Sequence, residues 1–89
     1  MKIIEGFKLR KIANEYYVLG EGIRQMGFNR VLLLNDAAAY IWQEIDGKDF
    51  DAETIAQLLS CKYGFEHDEA LGYAQQTVDY WLSVPLIEE

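Results

Sequence analysis

The sequence predicts an α+β domain: a three-stranded antiparallel sheet followed by three helices, in an order like that of a winged helix-turn-helix. Three observations predict it. Residues 7–12, Phe-Lys-Leu-Arg-Lys-Ile, alternate apolar and basic side chains, the period of a half-buried strand. Residues 31–34, Val-Leu-Leu-Leu, form an apolar run that passes through Asn35-Asp36 directly into a helical pattern. From there to Pro85, apolar residues recur at helical spacing in three segments, separated by Gly47 and Gly64.

The first strand places Phe7, Leu9 and Lys11 on one face and Lys8, Arg10 and Ile12 on the other. Ala13-Asn14 reads as a tight turn. Glu15-Tyr16-Tyr17-Val18-Leu19 is rich in β-formers and makes the second strand of a hairpin. Gly20, Gly22 and Gly27 mark residues 20–29 as a loop or a bulged strand. Val31 to Leu34 is the third strand, and its unbroken apolarity asks for cover on both faces.

Asn35 or Asp36 is suited to cap the first helix by accepting a hydrogen bond from a first-turn amide. Ala38, Ile41, Trp42 and Ile45 then form its core face, and Gly47 ends it. The second helix starts at Asp51, with Phe50 placed to staple onto Ile55. Its buried stripe is Ile55, Leu58 and Leu59, and Gly64 stops it. The third helix runs over 67–83. Ala70, Leu71, Ala74, Val78, Trp81 and Leu82 share a broad apolar arc, flanked by Tyr73, Thr77, Tyr80 and Val84. Pro85 blocks continuation. No repeat, low-complexity tract or linker interrupts the 89 residues, which read as a single domain over 1–89.

Composition bounds the function. Half the residues are hydrophobic, enough for one core in a chain of this size. No apolar run reaches the ~20 residues of a membrane span. The N-terminus lacks the pattern of a signal peptide, and the single Cys61 excludes an internal disulfide, so a cytoplasmic setting is expected. The net charge of −7 is unevenly spread. Residues 1–34 hold six Lys and Arg against three acids, a charge of +3, whereas residues 35–89 hold two against twelve, a charge of −10. The helical half therefore repels phosphate backbones. The third helix contains no Lys or Arg, which speaks against a DNA-reading helix and leaves a DNA-binding regulator as an alternative only.

Catalytic and metal-binding motifs are absent. His67, the only histidine, precedes Asp68-Glu69 at a helix start and lacks the oriented partner that acid-base work needs. Nothing near Cys61 in sequence would activate it. Asp49, Asp51 and Glu53 alternate like the start of a calcium loop, but Thr54 and Ser60 stand where glycine and glutamate are required. Gly20-Glu21-Gly22 lacks the spacing of a nucleotide loop, because its next glycine is Gly27. No catalytic residue, metal or cofactor is expected.

Peptide binding by strand addition fits the residues better. A short sheet has open edges, and an extended peptide can pair with one through its backbone. If Val31 to Leu34 is an edge strand, a helix beside it would wall a groove, and the flank bearing Tyr73 and Tyr80 suits such a wall. The same tyrosines could equally cover the core, and composition and periodicity leave both readings open. A structural subunit pairing edges with its own copy is a further alternative.

The chain resembles the PqqD-like family, whose founding member serves pyrroloquinoline quinone (PQQ) biosynthesis. The resemblance is carried by Gly6-Phe7-x-Leu9-Arg10-x-Ile12, Glu15-Tyr16-Tyr17-Val18, Phe28-Asn29, Leu34-Asn35 and Ala39-Tyr40-Ile41-Trp42. It continues through Asp51-x-Glu53-x-Ile55-Ala56-x-Leu58-Leu59, Tyr63-Gly64 and Val78-Asp79-x-Trp81-Leu82. It implies a non-catalytic winged helix-turn-helix-like module, a peptide chaperone that does not bind DNA. Such a module binds the leader of a ribosomally made precursor peptide as an added strand and presents it to a modifying enzyme, often a radical SAM protein. Carried over by position, the docking strand is Arg30, Val31, Leu32, Leu33 and Leu34. The groove-facing helix residues are among Tyr73, Gln76, Thr77 and Tyr80. The resemblance is compatible with a monomer or weak homodimer. The chain departs from the family's usual glycine at Ala38, and its ending Ser83-Val84-Pro85-Leu86-Ile87 lacks the usual glycine. Many such chains serve pathways other than that of the founding member.

Overall fold

The computed structural model describes residues 1–20 and 32–89. Most of the predicted loop over 20–29, together with Arg30 and Val31, lies outside the described residues. The elements in chain order are β1 (Lys2–Ile3), β2 (Phe7–Ile12), β3 (Glu15–Gly20), β4 (Leu32–Leu34), α1 (Asp36–Ile45), α2 (Ala52–Tyr63), α3 (His67–Ser83) and β5 (Ile87–Glu88). The expected three-stranded antiparallel sheet is β2-β3-β4, and the three expected helices follow it, so the fold is α+β.

The β2–β3 hairpin closes through Ala13 and Asn14, both at positive φ (52° and 69°), between the paired residues Ile12 and Glu15. This backbone matches the right-handed twist of the strands it joins. Gly20, expected in the loop, instead pairs with Phe7 and ends β3. The inner face of the sheet carries Phe7, Leu9, Tyr16, Val18, Leu32 and Leu34, with Phe7, Val18 and Leu34 buried. The outer face carries the aligned row Arg10, Tyr17 and Leu33.

The first two helices each begin where a side chain satisfies a free first-turn amide. The Asn35 side-chain oxygen accepts from the Ala38 N–H at 2.8 Å. Asp51 accepts from the Thr54 N–H at 2.8 Å, and the Thr54 hydroxyl oxygen in turn accepts from the Asp51 N–H at 3.4 Å, completing a capping box. The Thr54 N–H and the Thr54 hydroxyl, which donates to the same carboxylate at 2.9 Å, hold the Asp51 carboxyl below the ordinary carboxylate range. Gly64 ends α2 in the left-handed conformation, φ 74°. The start of α3 has no side-chain cap.

The core lies between the sheet and the helices. Ala39, Ile41, Trp42 and Ile45 of α1 are buried, with Ile55, Ala56 and Leu59 of α2 and Ala70, Ala74, Val78 and Trp81 of α3. Ala38, expected on the core face of α1, is only half-buried, and Ala39 takes the inward place. Trp42 and Trp81 meet edge to face, centroids 5.4 Å apart, and tie α1 to α3.

A second, two-stranded sheet pairs β1 with β5, Lys2 opposite Glu88 and Ile3 opposite Ile87. It seats Leu86 and Ile87 in the core. Two-residue strands carry no periodicity, so this sheet had no signature in the sequence.

Candidate functional site

The sheet order makes β4 an outer strand among the described residues. Its three leucines alternate, as strand geometry requires. Leu34 is buried and Leu32 half-buried, whereas Leu33 is 61% exposed on the outer face, beside Tyr17. The expectation that both faces are covered is therefore corrected, because the helices cover only the inner face. Tyr17 donates its hydroxyl proton to Glu15 at 2.6 Å, and that hydrogen bond raises the phenol above its ordinary range.

Where β4 runs into α1, a pocket of about 220 Å³ opens between α1 and α3. Asn35, Ala37 and Ala38 form one wall and Tyr73 and Thr77 the other. Ile41, Leu59 and Phe65 complete the lining, which is mostly apolar. Small residues on α1 leave the space: the methyl groups of Ala37 and Ala38 face what larger side chains would fill. The Thr77 hydroxyl donates to the Tyr73 carbonyl at 3.0 Å, so its proton is spent within the helix. Tyr73, 49% exposed, packs against Phe65 with the rings tilted and their centroids 5.4 Å apart.

Two of the four helix residues named from the sequence, Tyr73 and Thr77, thus line the pocket with Asn35. Gln76 and Tyr80 do not. Gln76 is rotated about 60° from Tyr73 around the helix, and Tyr80 lies two turns, about 10 Å, farther along it. Tyr80 is 54% exposed. Ala37, Leu59 and Phe65 escaped the sequence reading. Leu59 read as core, and Phe65 sits between helices, where no periodicity applies. The interhelical aromatic signal was available in Tyr63-Gly64-Phe65, a ring on either side of a helix stop.

A second, wider pocket of about 500 Å³ adjoins the first at Asn35 and is lined by Leu33, Leu34, Asp36, Asn14, Glu15 and Tyr16. The end of β4 therefore has concave surface on both sides of Asn35.

Elsewhere, the expectation that His67 lacks an oriented partner is corrected: its Nε2 lies 2.8 Å from Glu53, brought to it by the packing of α2 on α3, and this hydrogen bond raises the imidazole above its ordinary range. The pair is exposed and lines neither of these pockets. Cys61 is free and exposed. Among the described residues, no group of three or more His, Cys, Asp or Glu is placed to hold a metal ion, and no helix is long and apolar enough to cross a membrane.

The family model described as coenzyme PQQ synthesis protein D (PqqD) matches residues 10–87, which span the β2–β3 hairpin from Arg10, all three helices and β5 as far as Ile87. No curated protein and no solved structure matches the chain. The match covers well over half of the 89 residues, and the chain belongs to the PqqD family, that of coenzyme PQQ synthesis protein D.

Proposed function

We propose that this chain is a non-catalytic peptide-binding module that holds the leader of a ribosomally made precursor peptide and presents it to a modifying enzyme of the radical SAM type. The observation that carries the reading is the juxtaposition of an outer strand with an open apolar pocket. β4 offers backbone donors and acceptors at the sheet edge, and Tyr73, Thr77, Ala37 and Ala38 wall a pocket where that strand ends. An added strand gains affinity from backbone hydrogen bonds and selectivity from alternate side chains entering such a pocket. Membership of a family named for coenzyme PQQ synthesis supports a role in peptide maturation of this kind.

In this reading Leu32, Leu33 and Leu34, continuing Arg30 and Val31, are the docking edge, and Tyr73 and Thr77 anchor a peptide side chain. Gln76 and Tyr80 are left to contact the enzyme partner or solvent. The module acts as a monomer or weak homodimer in the cytoplasm and binds no nucleic acid. The acidic helices support that last point, since α3 presents Asp68, Glu69 and Asp79 and no Lys or Arg.

The test is an NMR titration with the leader peptide encoded beside this gene. Amides of Leu32–Leu34 and of residues 73–77 are expected to shift on binding. An unchanged spectrum at ~100 μM peptide, well above a micromolar Kd, would overturn the reading.

A further inference from the structure

A third pocket, of about 600 Å³, lies beside the β2–β3 turn, between the hairpin and the helices α1 and α2. Lys11 of β2 and Lys62 of α2 reach it from separate elements, with Tyr16, Tyr40 and Tyr63 between them and Asp36 also in its lining. Each ammonium lies over a ring: Lys62 Nζ is 4.7 Å from the Tyr40 centroid, and Lys11 Nζ is 5.6 Å from that of Tyr16. Neither lysine has a carboxylate within ion-pair distance among the described residues. Six of the eight Lys and Arg lie in the first 34 residues, and Lys62 is one of only two among the remaining 55. Its convergence with Lys11 makes a cationic, aromatic recess on an otherwise acidic helical half.

This recess is continuous with the strand edge. Asn14, Tyr16 and Asp36 line both it and the pocket beside Leu33 and Leu34. A run of rings also joins it to the α1–α3 pocket. Tyr73 packs on Phe65, Phe65 on Tyr63 at 5.9 Å, and Tyr63 on Tyr40 at 6.3 Å.

We infer that the Lys11–Lys62 recess is a second recognition site, which takes an acidic side chain of the same peptide that pairs with β4. The inference rests on the peptide-binding function proposed for the strand edge. Two ammonium groups without carboxylate partners among the described residues suit an Asp or Glu carboxylate, and the three phenol rings suit the extended backbone that carries it. Recognition by exposed lysines is weak for each pair and is screened by salt. The site therefore adds selectivity for leaders with an acidic flank to the affinity supplied by the strand.

The experiment compares the wild-type protein with the double variant Lys11→Gln/Lys62→Gln. The probes are the leader peptide encoded beside the gene and a copy with every Asp and Glu replaced by Asn and Gln. Both lysines are exposed, so the variant should melt like the wild type. It is expected to bind the acidic leader roughly three- to tenfold more weakly at low salt, with the gap closing at high salt. The neutral leader should bind both proteins equally, and the Tyr40 and Tyr63 ring protons should shift only with the acidic one. If β4 amides shift but the double variant binds the acidic leader as the wild type does, the inference fails while the peptide-binding reading stands. An equal loss for both leaders also overturns it. If no β4 amide shifts with either leader, both the reading and the inference fall.

Discussion

His67 and Glu53 join the first turns of two helices: Nε2 of the imidazole lies 2.8 Å and 3.0 Å from the two carboxylate oxygens. An imidazolium at a helix start is opposed by the helix dipole, and the Glu53 carboxylate offsets that opposition. The hydrogen bond to Glu53 is the main cause of the raised imidazole pKa, followed by the charge of Glu53, with Asp68 adding less.

The pH dependence is set by the direction of this shift. The folded state holds the proton more tightly than the unfolded state. The stabilisation is therefore fully present below the unfolded value, about 6.5, and is lost as pH rises through the folded value. Glu53→Gln should lower the His67 titration midpoint towards about 6.5, as read from the imidazole proton resonances. Its melting temperature should fall below that of the wild type by more at about pH 5.5 than at about pH 8.5, on either side of the titration. A variant whose deficit is the same at both values would show that the pair is not coupled to folding.

The cap at the start of α1 has a separable cost. Asn35→Ala removes the acceptor for the Ala38 N–H and should destabilise the domain by about 1 kcal/mol, while Asn35→Ser or Asn35→Asp should keep most of the stability. Urea unfolding of the three variants measures this directly.

The hairpin turn stores strain at Ala13, where φ is +52°. A non-glycine residue there costs roughly 1–2 kcal/mol, and glycine returns about half of the relief through its freer unfolded chain. Ala13→Gly should therefore raise stability by about 0.5 kcal/mol, seen as a higher urea midpoint at an unchanged slope.

The α1–α3 pocket can be filled without touching the strand. Ala37 is half-buried at its wall. Ala37→Leu places a good helix former there, so the fold should be kept, with thermal unfolding within a few degrees of the wild type. Leader-peptide binding should weaken at least tenfold by calorimetry. Unchanged binding would mean that the peptide does not use this pocket.

Much of the fold was legible because its signals are local. Asn35 and Asp51 announce their helices by capping within three residues, and α3 ends where Pro85 forbids continuation. The features that escaped were set by distant pairing. The β1–β5 sheet joins residues 2–3 to 87–88, and no local pattern encodes that meeting. The site divides in the same way. Tyr73 and Thr77 stood out as a flank of one helix, but Phe65 and Leu59 reach the pocket only because α2 and α3 pack together there. Tyr80 shares the angular position of Tyr73 but not its height along the axis, a distinction that helical spacing alone does not make. The run Val31 to Leu34 suggested cover on both faces, and Leu33 shows that a leucine on the outer face can stay open.

The three consecutive leucines of β4 bear on its alignment. Sliding β4 by one residue against β3 would turn Leu33 inward and Leu32 and Leu34 outward, yet the core would still receive leucine. In most strands such a slip exchanges apolar for polar side chains and is forbidden on that account. Here the three leucines discriminate little between the two phases, and the Asn35 cap immediately after the strand adds a marker of where α1 begins to the pairing of Tyr16 with Leu34. The phase of this outer strand is thus set from outside its own side chains, by its three-pair ladder with β3 and by the capped, core-anchored helix that follows it.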